Sequence, residues 1–455
     1  MPEADPDPPR TEPDALAAGP GAPEAAAPRL AGSRAVRAGR AIRGLAVDIT
    51  PLRRSRDFRL LWSASLVSQT GRQFTLTAVY IQVFRLTHSA TALGLLGAVE
   101  LVPLTLASIA AGSIVDAVDR RKLMLITQVC YALTSALLLT TALLHLPVGY
   151  VYLFDGMSAA VGGVAQPTTT AMTPRLVGTK LLPSALALNQ VMWNATMIVG
   201  PALGGVVVAT VGLPWAYGID AITYGATVAA ALLMRPMPPQ ADGARPTGLS
   251  AIREGFAYLK GRRVLQSTFT IDLVAMVFGM PRILFPILAV QQFHASRHHA
   301  PVVVGVLLSA LAAGALAGAV SAGWVGRVRH QGRAVVIAVA LWGAGIVAFG
   351  LSGPHLWLAI IFLAAAGGAD VISAVFRGAI LQGSVPDALR GRLSAIHILV
   401  VTGGPRVGDL EAGLVAGVFT PFVSVVSGGL ACLAGVGVIA LAVPQFWRYH
   451  SGDPP

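Results

Sequence analysis

Between residues 60 and 447 the chain alternates long apolar runs with short polar interruptions. A helix needs about 20 apolar residues to cross a ~30 Å hydrocarbon core. Twelve runs meet that length, at about 60–84, 92–115, 122–144, 148–172, 185–212, 213–234, 267–293, 301–325, 334–352, 356–385, 393–419 and 420–447. Runs longer than the minimum fit tilted helices. The pattern predicts an all-α integral membrane protein with twelve transmembrane helices in two six-helix halves. The longest internal polar stretch, 235–266, parts six runs from six. It predicts an N-terminal half over 51–234, a central linker over 235–266 and a C-terminal half over 267–447. Within the linker, Ser250 to Gln266 reads as an amphipathic helix on the membrane surface.

Composition supports the same class. Hydrophobic residues make up 55% of the chain and charged residues only 12%, with a mean hydropathy of +0.69. A soluble domain carries about 25% charged residues, so this chain lacks the charge to cover a water-exposed surface. The net charge is +12, but the basic residues lie between apolar blocks and form no stripe with aromatics, which argues against nucleic acid. Residues 1–50 differ from the rest. "MPEADPDPPRTEPDALAAGPGAPEAAAP" is rich in Pro, Ala and acid and reads as disordered. It lacks the basic-then-apolar order of a signal peptide. The basic segment after it reads as a tail held near anionic lipid or as a partner-binding segment. Residues 448–455 form a second short tail.

Orientation follows from Lys and Arg. Twenty-seven of the 33 fall in the N-terminal tail, in the polar turns on its side of the membrane and at Arg448. Arg85 and Arg297 alone fall on the other side, and Arg72, Arg282, Arg377 and Arg406 lie inside runs. The positive-inside rule then places both termini and the linker in the cytoplasm of a bacterium. The two cysteines, Cys130 and Cys432, sit in apolar runs and predict no disulfide. His294, His298 and His299 cluster in one outer turn and read as a solvated loop rather than a pH sensor or metal site. There is no phosphate-binding G-x-x-x-x-G-K-S/T, no H-E-x-x-H and no Cys/His set with metal spacing. Enzyme chemistry, a cofactor and a bound metal are therefore not expected.

The halves look repeated. Arg72 and Arg282 are 210 residues apart, Pro201 and Pro405 are 204 apart, and Pro174 and Pro386 are 212 apart. Parallel repeats place a binding site at their interface near the bilayer midplane. The turn after the second run, "AAGSIVDAVDRRKLMLITQ", packs five charges into seven residues. Gly112, Asp116, Arg120 and Arg121 match the G-x-x-x-D-x-x-G-R-R/K pattern of the major facilitator superfamily, with Asp119 in place of the second Gly. The chain resembles that superfamily over about 52–447. Within it, "RDFRLLWSASLVSQTG", "LTHSATALGLLGA", "MTPRLVGTKLLPSALALNQ" and "VPDALRGRLSAIHILVVTGG" resemble the siderophore (enterobactin) exporter branch and related drug-efflux proteins. The resemblance implies a conformational latch. Asp116 would dock near the start of the eleventh helix, around Arg392 to Ser394, when the inner gate is shut, and Arg120 and Arg121 would hold it. The same charges also read as simple positive-inside anchoring. "GPALGG", with Gly200, Pro201, Gly204 and Gly205, resembles the antiporter motif of proton-coupled exporters, with Thr196 where the family has a further Gly. Its other reading is an ordinary glycine-rich helix contact.

A charge at the bilayer centre costs about 2.5–3.5 kcal/mol on insertion scales, so the charges inside the runs must face a cavity or a partner. "GMPR" (Gly279 to Arg282) and "GGPR" (Gly403 to Arg406) each predict a helix break beside a cation. Arg406 and Asp409 share a helix face, as do Asp370 and Arg377. Candidates for substrate or proton binding are Arg72, Arg282, Asp370, Arg377, Arg406 and Asp409. The wider pool of acids holds Glu100, Asp155, Asp220, Asp272 and Glu411, with Asp272 read as structural. The arginines fit an anionic substrate, the acids fit a proton carrier, and mutual neutralisation is the alternative to both. The resemblance implies a monomeric secondary transporter that exports a siderophore by proton-coupled alternating access, with membrane lipids, a small-molecule substrate and a coupling proton as partners. A multidrug efflux pump is the alternative, and a receptor or scaffold without transport is a third reading.

Overall fold

The computed structural model describes residues 48–239, 249–385 and 387–450. The side chains of Ser113, Asp116, 249–252, 387–392, 394, 395 and 398 lie outside the described residues. So do most of the expected N-terminal tail and residues 451–455.

The described chain is helical, with no strand. In chain order the helices are α1 (Thr50–Arg54), α2 (Arg56–Thr87), α3 (Ala90–Ala117), α4 (Arg120–Leu143), α5 (Val148–Thr210), α6 (Leu213–Leu233) and α7 (Leu249–Leu259). They continue as α8 (Arg263–Phe278), α9 (Phe285–Gln291), α10 (Ala300–Ser321), α11 (Gln331–Gly350), α12 (Leu356–Ser384), α13 (Asp387–Val418), α14 (Pro421–Ala442) and α15 (Pro444–Trp447). Among the described residues, nine helical runs are long and apolar enough to cross a membrane. One of them is α5, whose 63 residues comprise two helices joined at a kink at Gly178. Helices α2 and α13 are each 32 residues long but carry more charge. Large apolar side chains such as Ile222, Val418 and Leu441 are mostly exposed, as suits a surface whose solvent is lipid.

Three sequence details change. The two helices expected at 148–172 and 185–212 are both present, but the connection between them is shorter than 173–184: they are joined within α5 at a kink at Gly178 (φ 70°, ψ 172°), and Pro174 and Pro183 lie in helix on either side of it. Glycine alone takes that conformation without Cβ strain. The surface helix of the linker is shorter than expected, because α7 ends at Leu259 and Gly261 (φ 87°) turns the chain into α8. Of the two expected breaks, only the first occurs. Met280 is forced toward extended geometry by Pro281 (φ −123°, ψ 79°), and a 3-10 turn, Pro281–Leu284, follows. At "GGPR" α13 runs on unbroken through Pro405. There the Arg406 guanidinium donates to Thr402 O at 2.6 Å, beside the carbonyl that a proline leaves without its helical partner.

The helices before residue 239 meet those after 249 along two seams. At one, α5 crosses α10. A Cβ on Gly205 would strike the carbonyl of Pro301, and a Cβ on Gly305 would strike that of Pro201. Two P-x-x-x-G segments thus interlock reciprocally, and Ser309 Oγ adds a hydrogen bond to Ile198 O at 2.5 Å. At the other seam α3 crosses α13. A Cβ on Gly94 would lie 2.7 Å from Gly413 Cα, and one on Gly97 would strike Arg406 O. Small residues let helix backbones approach where lipid supplies no hydrophobic drive.

The far ends of α4 and α6 are held by side chains. Asp119 caps α4, accepting from the amides of Arg121 (2.9 Å) and Lys122 (3.2 Å), while its other oxygen takes the amide of Met237 (2.9 Å). Arg121 donates to the last carbonyls of α6, Ala231 O at 2.6 Å and Leu232 O at 2.7 Å.

Two predictions follow from these contacts. Gly205→Ala and Gly305→Ala each force α5 and α10 apart, and overpacking of this kind costs about 1–3 kcal/mol. Thermal unfolding of the purified protein in detergent should show a lower midpoint for each, and an unchanged midpoint would contradict the close crossing. Asp119→Ala removes a helix cap, worth about 0.5–2 kcal/mol, together with the tie to Met237. Proteolysis of the segment after Leu233 should accelerate in that variant relative to the parent.

Candidate functional site

Seven charged side chains line up through the interior with nearly alternating sign. Asp220 on α6 is buried, and its Oδ2 accepts from Thr75 (2.6 Å) on α2 and Ser135 (2.7 Å) on α4. Next comes Arg72 on α2, within electrostatic reach of Asp220. Its guanidinium bonds the Tyr131 hydroxyl and lies 4.8 Å from the centre of that ring. Tyr131 in turn stacks on Tyr224 with centroids 5.1 Å apart. Gly162 leaves the room for this contact, since a Cβ there would sit 2.9 Å from the Tyr131 hydroxyl.

Beyond Arg72 stand two carboxyls, Asp155 on α5 and Glu100 on α3, within hydrogen-bonding reach of each other. Glu100 crosses the seam to Arg406 on α13, with Nε 2.9 Å from Oε2. Asp409 lies one turn along the same helix. It accepts a forked pair of bonds from Arg282, Nε at 3.2 Å to both oxygens and Nη2 at 2.7 Å to Oδ2. The proline-induced 3-10 turn is what aims Arg282 at α13. Tyr80 on α2 completes the wall, within reach of Arg282, Asp409, Glu100 and Asp155. Asp409 is 3% exposed, whereas Arg282, Arg406 and Glu100 keep 21%, 18% and 15%, so these three side chains are only partly buried.

A second cluster is separate. Arg377 on α12 pairs closely with Asp272 on α8 and stands 3.9 Å from Asp370, two turns back on the same face of α12. Asp272 and Arg377 are buried, and Asp370 is 34% exposed.

The six candidate charges therefore divide. Arg72, Arg282, Arg406 and Asp409 join one row, while Asp370 and Arg377 belong to the other cluster. Asp272, read from sequence as structural, is the principal partner of Arg377. Glu100 and Asp155 stood in the pool of acids without being singled out, although Glu100 bridges the two parts of the chain. The tyrosines were missed. Tyr131, Tyr224 and Tyr80 read as apolar filler in their runs, and only the Ser, Thr and Gln residues around them hinted at a polar lining.

The latch residues sit as follows. The Asp116 side chain and those of 387–392 and 394 lie outside the described residues. Arg120 donates to Ala171 O at 3.2 Å and Arg121 to the end of α6, so both hold carbonyls of helices before residue 239. Gly200 packs on the Gln73 side chain, Gly204 on Phe74, and Pro201 and Gly205 form the α5–α10 seam. Among the described residues no group of three metal-ligating side chains occurs, and Cys130 and Cys432 are free thiols.

This architecture can be set against known proteins. The family model described as transmembrane secretion effector matches residues 46–449. The chain belongs to this family of the major facilitator superfamily. It is 25% identical to the enterobactin exporter EntS of Escherichia coli over 416 residues, covering 90% of this chain and 97% of the relative. The same exporter of Citrobacter koseri is 25% identical over 413 residues, with the same coverage. Among solved structures, the nucleoside transporter NupG superposes with a TM-score of 0.68 at 14% identity, over 86% of this chain and 99% of that one. A bacterial homologue of the human lysosomal transporter Spinster gives 0.64 at 14%, over 86% and 96%. These structures carry the fold alone. The chain is thus a multi-pass membrane transporter of a small-molecule substrate, not an enzyme.

The Arg377 cluster offers a test of structure against function. Removing one partner of a buried ion pair costs about 3–5 kcal/mol, because the other charge is stranded. Asp272→Asn and Arg377→Met should each lower yield and thermal midpoint sharply. The double variant should recover most of the loss, and a double variant as unstable as the sum of the singles would disprove the pairing.

Proposed function

We propose that this protein exports a siderophore-like small molecule across the bacterial cytoplasmic membrane in exchange for protons. The observation that carries the reading is the row of ion pairs across the seam between the two parts, Glu100–Arg406 above all, with Arg282–Asp409 beside it. Similarity to EntS along 90% of the chain supports the substrate class. Two six-helix halves, 51–234 and 267–447, rock about this row, joined by the linker 235–266. Twelve spans are reached by counting α5 as two crossings and adding α2 and α13 to the apolar runs. Both termini face the cytoplasm on the Lys and Arg count.

In that orientation the glycine seams close the outer end, and the row is loaded from inside. Asp116 latches onto the start of α13 when the inner end closes, while Arg120 and Arg121 anchor its loop to α5 and α6. The protein works as a monomer in contact with lipid. Every arginine of the row has an acidic or phenolic partner, so a substrate meets donors and acceptors together rather than a bare cation. That suits a polar, hydroxyl-bearing molecule that is neutral overall, as a metal-free catechol compound is well below the phenol range near pH 10.

The experiment is metabolite release. The gene is deleted and restored as wild type or with Asp116→Asn, and siderophores inside and outside iron-starved cells are compared by mass spectrometry. Retention inside the deletion strain, cured by wild type and not by Asp116→Asn, is the expected result. Unchanged secretion on deletion overturns the siderophore assignment and moves toxic-compound efflux to first place.

A further inference from the structure

The carboxyls of Asp155 on α5 and Glu100 on α3 lie within hydrogen-bonding reach of each other in the interior. Asp155 Oδ2 is buried and receives no bond from an N–H or O–H donor of the described residues. Two carboxylates in contact, away from water, cannot both stay ionised, and a hydrogen bond between them needs one proton. Charge counting along the row gives the same answer. Asp220, Asp155, Glu100 and Asp409 supply four negative charges, and Arg72, Arg406 and Arg282 supply three positive ones. One proton makes the row neutral, and the Asp155–Glu100 contact is the one place where two like charges adjoin.

We propose that Glu100 and Asp155 hold a single shared proton and that this is the proton exchanged for substrate. The inference rests on the export reading and deepens it by naming the carrier. The charged and titratable groups facing the pair are Arg72 and Tyr80 from α2, Tyr217 from α6, Arg282 from the 3-10 turn, and Arg406 and Asp409 from α13. When the proton leaves, Glu100 and Asp155 both become acceptors, braced by Arg406 and Arg72. A substrate hydroxyl donates to them in the place of the shared hydrogen. When the proton returns, that acceptor capacity is gone and the hydroxyl is displaced.

Proton and neutral hydroxyl donor therefore exclude each other, which is the sign that exchange in opposite directions requires. The sign reverses for an anion. Protonating the pair frees Arg406 and strengthens anion binding, so an anionic substrate would travel with the proton. The carrier thus selects a neutral donor for export.

The test uses the full chain in detergent and then in proteoliposomes. Infrared spectra of wild type at neutral pH should contain a protonated-carboxyl C=O band. Glu100→Gln, Asp155→Asn and the double variant should each remove the same intensity, because the proton belongs to the pair. The remaining acid in each single variant ionises against its arginine. Equal loss in all three is a signature that a merely structural role does not give. Absence of the band in wild type, or its survival in both single variants, overturns the shared proton.

Catechol serves as a neutral probe and phthalate as an anionic one, with perturbation of the same band as readout. Catechol should displace the proton and weaken the band, with its apparent affinity falling about tenfold for each unit of pH below the titration midpoint of the pair. Phthalate binding that tightens as pH falls, with no response to catechol, overturns the neutral-donor assignment while the dyad stands. In proteoliposomes loaded with catechol, an imposed inward proton gradient should drive efflux from wild type and not from Glu100→Gln. Gradient-driven efflux that survives in Glu100→Gln overturns the carrier role. If the band behaves as expected while deletion of the gene leaves secretion unchanged, the shared proton stands and the siderophore reading falls.

Discussion

A charge buried in hydrocarbon must be answered by another charge, and the rest of this molecule is arranged around that constraint. An ion brought out of water loses several kcal/mol of solvation even after relaxation, and a partner removed later strands what remains. Three arginines and four acids in one row are tolerable only because each stands within reach of its opposite. The pairings draw helices together that have no sequence proximity. Arg282 and Asp409 are 127 residues apart, and Glu100 reaches Arg406 from the other part of the chain. The row is the interior glue and, on the proposed reading, also the surface that a passing molecule meets.

Backbone geometry serves the same end. Pro281 ends α8 early and turns Arg282 toward α13. Pro405 does the opposite, staying inside an unbroken helix while Arg406 covers a neighbouring carbonyl with one arm and reaches Glu100 with the other. Two similar tetrapeptides thus yield different local structures. The second lies in a helix pressed by glycines against α3 and α8, and tight packing on both faces leaves no room for a break. Asp119 has a comparable explanation. The acid in place of the family's second glycine is occupied as a helix cap and as the partner of Met237.

The helices and the presence of intramembrane charge were legible in the sequence because both follow from hydropathy alone. The run boundaries agree with the helix ends to within a few residues in most cases. Where they failed, at "GGPR", local signals from Pro and Gly were overridden by neighbours that the sequence does not display. The pairing of charges was less legible. Arg406 and Asp409 announced a shared face, but Glu100 looked like any acid near a helix start, and its meeting with Arg406 depends on how α3 crosses α13. Tyr131 and Tyr224 gave no signal, since a tyrosine in an apolar run becomes polar lining only when a guanidinium is placed on its ring.

The interlocked segments at Pro201–Gly205 and Pro301–Gly305 have a consequence for the energy of motion. Where glycine meets a proline carbonyl the contact covers little apolar surface, so parting it at those points forfeits little of the ~25 cal/mol per Å² that apolar burial contributes. Water entering the gap finds peptide groups that it hydrates readily. A seam zipped by leucines would close as tightly and then resist wetting. At these points the same closeness is reached with less apolar surface to be wetted. Under the proposed exchange, the balance between closed and open then falls to a few charges in the middle of the membrane, where a single proton or a single ligand is large enough to decide it.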